Sequence, residues 1–258
     1  MVEFIKHNSS PFSDSLSAEV HGLESLRAVL QIINNDDLHI PKVYSVNEKT
    51  LKLQAIKTQS NTGDQMTVLG RGLADLHQIE QSYYGLDRDN YIGLSEQKNG
   101  QYDDWGEFFV TQRLAFQVSL IKPAALQQSL QNILQRNKAR VVSFLNQHCS
   151  GPSLVHGDLW SGNVLFEANE YSGEEGRVWL IDPAVYYGDR EVDIAMTEMF
   201  GGFSAEFYRR YDQAYPLSSA YPEKKVIYNL YHQLNHYNVF GRSYLQGCKR
   251  GFDVLSRL

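Results

Sequence analysis

The sequence has few cysteines and no long apolar run. Its 258 residues include two cysteines, Cys149 and Cys248, which are too few for a disulfide framework and lack a metal-binding spacing. No stretch approaches the roughly 18 consecutive apolar residues of a membrane span, and the start of the chain lacks a signal-peptide core. We therefore expect a cytoplasmic protein in a reducing compartment, without a membrane partner.

Positive charge is also scarce. Lysine and arginine number 24 against 30 aspartate and glutamate residues, which gives a net charge of -6. This balance argues against a nucleic-acid partner held mainly through phosphate contacts. Hydrophobic residues make up 42% of the chain and charged residues 21%, which is ordinary globular usage. A chain of this length can bury a substantial core as one or two domains.

Two short apolar runs predict a β-hairpin in the second half of the chain. They cover residues 163–166 and 178–181 and flank a turn-rich stretch, Glu170–Gly176. Antiparallel pairing about the middle of that stretch brings Asn163, at the start of one strand, beside Asp182, just after the other. The predicted hairpin therefore places an amide and a carboxylate together.

A second carboxylate, Asp158, lies five residues before Asn163 in the sequence HGDLWSGN. Magnesium is a hard cation that binds oxygen ligands, so Asn163 and Asp182 are candidate metal ligands. Asp158 is then free to orient a substrate hydroxyl and accept its proton. The spacing matches the protein-kinase catalytic loop and its following metal-binding aspartate. The competing interpretation is a polar loop with a capped turn, and we interpret His156 as a structural brace.

The start of the chain offers a partner for such a site. Residues 2–6 are typical of a strand, and a helix follows from Ser17 with leucines on one face. Glu19 lies on that apolar face, where a carboxylate needs a partner, and Lys6 is the nearest cation that a strand can present. Kinases use such a pair to hold the α- and β-phosphates of ATP. The alternative is a lysine that is merely exposed on its strand.

Further strands and an irregular loop follow. Strands are expected over Lys42–Val46 and Thr50–Ile56, and the polar linker Lys57–Gly63 then stands where a kinase has its hinge. An ordinary hairpin followed by a loop explains the same pattern. Residues 83–104 are rich in Tyr, Gly, Asn and Asp and predict a long irregular loop. That loop and Trp160 carry few cations, which suits a neutral sugar.

Helical periodicity dominates the remaining sequence. Helices are predicted over Trp105–Ile121 and Leu126–Gln147, and residues 205–258 are mostly helical, with tyrosines that we assign to the core. Another helix begins after Asp189. Its Asp193 could brace the backbone of the catalytic loop or serve as an ordinary helix-start carboxylate.

On these residues the chain resembles the fructosamine kinase (ketosamine 3-kinase) family, relatives of the aminoglycoside phosphotransferases. The matching stretches include FIKHN, AEVHGL, LGRGLADLH, HGDLWSGN, IDPAVYYGDREVD and NLYHQLNHYNVFG. The resemblance implies an α+β, two-lobed, protein-kinase-like fold. Its small β lobe, residues 1–57, would be N-terminally incomplete, and residues 58–258 would form a mainly helical lobe that carries the catalytic hairpin.

The resemblance also implies the site and the reaction. ATP and magnesium would be the cofactors, and the family phosphorylates the third-carbon hydroxyl of a ketosamine, free or on a glycated protein lysine, as a deglycation repair. The implied site residues are Asp158 as catalytic base, Asn163 and Asp182 as metal ligands, Lys6 and Glu19 as the phosphate-positioning pair, Gln54, Ala55 and Ile56 as the adenine-contacting hinge, and Trp160 at the substrate.

One departure from the family affects these expectations. Family members carry further strands and a Gly-containing loop before the FIKHN strand, at which this chain begins. The 258-residue form is therefore expected to bind ATP weakly and to be nearly inactive. The alternatives are a truncated, non-catalytic ketosamine-binding relative or a phosphotransferase acting on another amino-sugar. A metal-dependent hydrolase would leave the Lys6–Glu19 pair unexplained.

Overall fold

The computed structural model describes residues 2–168 and 176–258. The predicted turn Glu170–Gly176 lies outside the described residues except for Gly176. In the described ranges, no helix combines the length and apolar character needed to cross a membrane. One cluster of buried apolar side chains extends from the first helix to the last.

The first part of the chain forms a small antiparallel sheet with a helix beside it. Its elements are β1 (Glu3–His7), α1 (Ser15–Ile32), β2 (Leu38–His39), β3 (Val43–Val46) and β4 (Thr50–Gln54). The sheet order is β1-β4-β3. Helix α1 buries the leucine face that the sequence predicts, with Leu23 and Leu26 fully inaccessible. The expected strands are confirmed, although β4 ends two residues before Ile56.

Helix α2 (Gly63–His77) begins at a reciprocal cap. The Thr62 hydroxyl accepts from the Gln65 amide at 3.2 Å, and the Gln65 side chain accepts from the Thr62 amide at 3.1 Å. This capping box satisfies two backbone donors that the first helical turn leaves free. It fixes where the linker after β4 ends.

Residues 83–104 do not form the irregular loop expected from their composition. Four short strands lie there, namely β5 (Tyr84–Leu86), β6 (Asn90–Ile92), β7 (Ser95–Gln97) and β8 (Gly100–Tyr102). Strands β6 and β7 form a hairpin in which Asn90 is opposite Gln97. Each strand has only three residues, too few for an alternating apolar pattern to appear. The side chains of Asn90 and Gln97 are instead hydrogen-bonded to carbonyl groups distant in sequence, those of Val185 and Ala184.

The next helix is interrupted by a π-helical segment that the sequence pattern does not indicate. The helical run expected over Trp105–Ile121 consists of α3 (Trp105–Phe108), a π-helix (Phe109–Ala115) and α4 (Phe116–Ser119). The π-helix carries Arg113, which is completely buried and stacks on the ring of Tyr186, 4.1 Å from its centroid. The following helix, α5 (Ala124–Gln147), agrees closely with its prediction.

The predicted catalytic hairpin is present, with its pairing shifted by one residue. The strands in this region are β9 (Ser153–Val155), β10 (Val164–Phe166), β11 (Val178–Leu180) and β12 (Tyr186–Gly188). Strands β10 and β11 pair antiparallel, with Val164 opposite Leu180. The Ile181 amide donates to the Asn163 carbonyl at 3.1 Å, so Asn163 faces Ile181 rather than Asp182. Asp182 is the next residue along and remains at the same end of the hairpin.

The chain ends in a helical region whose tyrosines are core residues. Its helices are α6 (Glu191–Phe200), α7 (Ala205–Ala214), α8 (Tyr221–Phe240) and α9 (Leu245–Leu255). Tyr211, Tyr228 and Tyr231 are each no more than 2% exposed. Their placement confirms the assignment of these aromatics to the core.

Candidate active site

The loop between β9 and β10 depends on a glycine at its first bend. Gly157 has a φ of +80°, a conformation that favours glycine, and a Cβ built there would lie 2.1 Å from the Ala184 carbonyl oxygen. The backbone of the loop is thus pressed against the segment that follows Asp182. This close approach brings the two halves of the predicted site together.

Asp193, at the start of α6, braces the same loop. Its Oδ2 accepts from the His156 amide at 2.7 Å and its Oδ1 from the Gly157 amide at 2.9 Å. His77 Nε2 lies 3.2 Å from Oδ2. Burial alone would raise the pKa of Asp193, but the hydrogen bonds from His77 and the loop hold it below its ordinary value. The bracing interpretation is confirmed.

His156 is a structural residue of the loop. Its Nε2 donates to the Ile181 carbonyl at 2.9 Å, and its Nδ1 accepts from the Asp158 amide at 3.3 Å. The side chain is fully buried, and burial lowers its pKa. One ring nitrogen therefore ties the loop to the residue after β11 and the other stabilises the loop itself, as the sequence interpretation expects.

Asp158 and Asn163 contact one another across the loop. Asn163 Nδ2 donates to the Asp158 carbonyl at 2.8 Å and to its Oδ2 at 3.1 Å. The amide oxygen of Asn163 therefore points away from Asp158. Burial raises the pKa of Asp158 to about 7, the hydrogen bond from Asn163 opposes this rise, and the charge of Asp182 adds to it.

Asp182 and Lys6 meet at the other side of the site. Asp182 has a left-handed backbone with a φ of +53°, a conformation uncommon outside glycine. Lys6 Nζ lies 2.8 Å from Asp182 Oδ1 and 2.7 Å from Glu19 Oε2. The predicted pairing of Lys6 with Glu19 is confirmed. The Lys6 ammonium thus bridges a strand, a helix and the end of the catalytic hairpin.

The single positive charge of Lys6 is not enough to offset the effects of burial and of Asp182 on Glu19. Burial and the Asp182 charge raise the pKa of Glu19 to about 7, against the lowering effect of Lys6. Burial alone would lower the pKa of Lys6, but Glu19 and Asp182 raise it. Glu19 Oε1 is buried and has no hydrogen-bond partner among the described residues. Three carboxyl groups, those of Glu19, Asp158 and Asp182, therefore share one lysine at this site.

These residues surround one cavity of about 350 Å³. Lys6, Glu19, Asp158, Asn163 and Asp182 line it, and so does Trp160, which is 40% exposed. Hard oxygen donors and an excess of carboxylates over lysines suit a divalent cation such as magnesium. The Asp182 carboxylate, 40% exposed, and the amide oxygen of Asn163, which makes no hydrogen bond within the described ranges, are the predicted metal ligands among these donors.

Sequence reasoning related residues 83–104 to the sugar substrate but did not single out the residues of this segment that line the cavity. The β6–β7 hairpin supplies Tyr91, Gly93 and Leu94 to the lining. No spacing within the segment distinguished these residues from their neighbours. The only available signal was the density of polar and aromatic residues in 83–104.

The three expected hinge residues lie elsewhere. Gln54, Ala55 and Ile56 do not line the cavity. The Gln54 amide donates to the Lys42 carbonyl at 2.9 Å, and the Ala55 amide donates to the Val2 carbonyl at 3.1 Å. Their assignment as an adenine-contacting hinge remains a prediction.

Comparison with known proteins identifies the family. The family model described as fructosamine kinase matches residues 2–257. The chain belongs to the fructosamine kinase family. It is accordingly a kinase, a phosphotransferase enzyme, as the sequence resemblance indicates.

Alignments with named relatives extend over most of this kinase. It is 39% identical over 259 residues to the probable ketoamine kinase of Vibrio vulnificus, with 98% of this chain and 84% of that protein aligned. It is 32% identical to the chloroplastic protein-ribulosamine 3-kinase of Oryza sativa subsp. japonica, with 99% and 72% covered. The similarity therefore includes nearly the whole chain.

Solved structures confirm the fold. A crystal structure from Haemophilus somnus, provisionally named fructosamine-3-kinase, superposes with a TM-score of 0.82 at 28% identity, covering 98% of this chain and 83% of that one. The ADP-bound aminoglycoside phosphotransferase APH(2'')-Ib gives a TM-score of 0.59 at 16% identity, with 99% and 87% covered. The predicted α+β, protein-kinase-like fold is confirmed.

Proposed function

We propose that this kinase transfers the γ-phosphoryl group of ATP to the third-carbon hydroxyl of a ketosamine. The observation that carries the proposal is the convergence of Asp158, Asn163, Asp182 and the Lys6–Glu19 pair on one cavity. A member of the fructosamine kinase family whose cavity is lined by these five side chains has the groups that phosphoryl transfer needs.

Asp158 is the proposed catalytic base. It lines the cavity beside Asn163, and its loop is held by Asp193 and His156. A pKa of about 7 places the carboxyl close to the protonation equilibrium expected of a base that works near neutral pH. It would orient the acceptor hydroxyl and receive its proton during transfer.

Asn163 and Asp182 would hold magnesium, and Lys6 would bind the phosphates of ATP. When bound, magnesium neutralises phosphate charge and orients the transferred group. Lys6 already contacts Asp182 and Glu19, so its ammonium is fixed beside the metal ligands before nucleotide arrives. We also assign adenine contact to the segment Gln54–Ile56.

The acceptor is proposed to be a ketosamine, either a small molecule or a glycated protein lysine. Trp160 would contact the sugar, since its ring is exposed at the cavity. Lys6 is assigned to ATP, and no other lysine or arginine is among the described residues that line the cavity, so a phosphate on the acceptor would lack a cation. Phosphorylation at the third carbon destabilises the adduct, so the proposed role is deglycation repair.

An acceptor screen tests this proposal. ADP release is measured with Mg–ATP and fructosyl-lysine, ribulosyl-lysine, fructose 6-phosphate or an aminoglycoside as acceptor. Because the 258-residue form is expected to turn over slowly, a chimera that carries the N-terminal segment of a relative is assayed beside it, and kinetic variants are compared in that chimera. The ketosamines are expected to support turnover, and Asp158→Asn should abolish most of it while the sugar phosphate supports none. Preferred turnover of the aminoglycoside, or equal rates in Asp158→Asn, would contradict the proposal.

A further inference from the structure

The β6–β7 hairpin forms one wall of the cavity yet has no role in the chemistry assigned above. Its tip, Gly93 and Leu94, faces the cavity, and its two strands are joined through Asn90 and Gln97. Both of these polar side chains are buried, with 5% and 1% exposure. Buried amides of this kind need specific partners, which makes their contacts informative.

One side of the hairpin is fixed to the segment after Asp182. Gln97 Nε2 donates to the Ala184 carbonyl at 2.9 Å, and Asn90 Nδ2 donates to the Val185 carbonyl at 2.8 Å. The Tyr231 hydroxyl of α8 donates to Gln97 Oε1 at 2.8 Å. The hairpin is thus attached rigidly to the part of the chain that carries the proposed metal ligand.

The other side of the hairpin contacts the start of α1. The Tyr91 hydroxyl donates to Asp14 Oδ1 at 2.5 Å, and the Tyr91 ring stacks on Phe12 with centroids 4.7 Å apart. Asp14 is the N-cap residue of α1, but its side chain makes no capping hydrogen bond to its own helix. An aspartate there ordinarily accepts from the first-turn amides. Among the described residues, the only side-chain hydrogen bond of Asp14 is the one that it accepts from Tyr91.

Side-chain hydrogen bonds of Asn8 connect the end of β1, which carries Lys6, to the start of α1. Asn8 Nδ2 donates to the Phe12 carbonyl at 2.9 Å, and the Ser15 hydroxyl donates to Asn8 Oδ1 at 3.1 Å. A displacement of Asp14 would therefore move the end of β1 and the start of α1 together. Glu19 follows Asp14 by five residues, which is about 7.5 Å along the helix axis. Its position follows from where α1 begins.

We propose that Tyr91 is a positioning residue for the Lys6–Glu19 pair. It holds the start of α1 to a hairpin that is itself anchored beside Asp182, so that the three charged groups keep their separation. The inference rests on the proposed function in that Lys6 is taken to bind the nucleotide phosphates. Loss of the Tyr91 contact should therefore weaken nucleotide binding more than acceptor binding.

The test compares Tyr91→Phe with Tyr221→Phe. Both substitutions remove a tyrosine hydroxyl that donates to a carboxylate at 2.5 Å, but Tyr221 contacts Glu198, which does not line the cavity. Calorimetry with magnesium and the non-hydrolysable β,γ-imido analogue of ATP measures nucleotide affinity, and steady-state rates give the KM of each substrate. Asp14→Ala, alone and combined with Tyr91→Phe, completes a double-mutant cycle.

Tyr91→Phe is expected to weaken nucleotide binding about three- to ten-fold, the range for one hydrogen bond to a partly exposed group. The acceptor KM should stay within about twofold of wild type, and the double variant should bind no more weakly than Asp14→Ala. Nucleotide affinity within about twofold of wild type, or equal losses for both substrates, would overturn the inference. Weakened nucleotide binding in an enzyme that phosphorylates no ketosamine would support it and refute the proposed function instead.

Discussion

Replacing Asp193 by asparagine should lower both the stability of the protein and its turnover, although the two side chains are nearly the same size and shape. Both carboxylate oxygens accept from loop amides, Oδ2 from His156 and Oδ1 from Gly157. An asparagine has one accepting oxygen and one NH2 group. Whichever way the amide is turned, its NH2 group faces a backbone N–H, and one buried donor is left without an acceptor.

The expected loss of unfolding free energy is estimated from the buried hydrogen bonds that are lost. A hydrogen bond to a charged group contributes about 1.5–3 kcal/mol, and an unsatisfied buried donor costs a similar amount. Asp193 is 1% exposed, so solvent cannot replace the lost partners. We expect Asp193→Asn to lower the free energy of unfolding by about 3–5 kcal/mol, a large part of the roughly 5–15 kcal/mol of a typical domain.

Urea unfolding measures the loss of stability, and steady-state kinetics measure the loss of turnover. The loop that Asp193 holds leads directly into Asp158, and a displacement of about 1 Å at a catalytic group can cost roughly 10²-fold in rate. Asp253→Asn, an exposed position on α9, is the matched control and should change neither quantity. An Asp193→Asn enzyme within about 0.5 kcal/mol of wild-type stability, with normal turnover, would refute the bracing argument.

The remaining predictions concern the proposed active site. Asp158→Asn should reduce kcat by about 10²- to 10⁴-fold, the range for a positioned base, and unimpaired turnover would contradict its role. Burial raises the pKa of Asp158 from 3.8 to about 7, so the folded state binds more protons than the unfolded state between these values and stability falls as pH rises. In EDTA, Asp158→Asn should therefore gain about 1–3 kcal/mol more in unfolding free energy at pH 8 than at pH 5, and a gain independent of pH would contradict this. Asp182→Ala should abolish magnesium-dependent activity, measured by magnesium titration of the rate; an unchanged magnesium dependence would remove Asp182 from the metal site.

Much of the site could be predicted because its signals are local. The spacing from Asp158 to Asn163 and the two apolar runs of the hairpin lie within a short stretch of sequence. The Lys6–Glu19 pair was predictable because a carboxylate on an apolar helix face needs a cation, and few were available. The one-residue shift in hairpin pairing was not predictable, since the apolar pattern alone does not fix the length of the connecting turn.

The segment 83–104 was related to the sugar, but its strands and contacts could not be predicted, because those contacts join residues far apart in the sequence. Tyr91 and Asp14 are 77 residues apart, and Gln97 and Ala184 are 87 residues apart. Contacts at these separations leave no periodicity in the sequence, and three-residue strands have no apolar alternation to detect. Likewise, Arg113 lies in the π-helix and is buried against partners from other parts of the chain, Tyr186 and Asn99, so no local pattern indicates this segment.

Phosphorus NMR of the reaction product tests the central claim most directly. The kinase is incubated with Mg–ATP and fructosyl-lysine or ribulosyl-lysine, and the new phosphate ester is located by its coupling to the sugar protons. The account predicts a single ester on the oxygen of the third carbon, absent when Asp158→Asn replaces the wild type. The ester is then expected to decay with release of inorganic phosphate and free lysine, so spectra are recorded from the start of the reaction. An ester at another carbon, or inorganic phosphate formed with neither a sugar ester nor free lysine, would contradict the account.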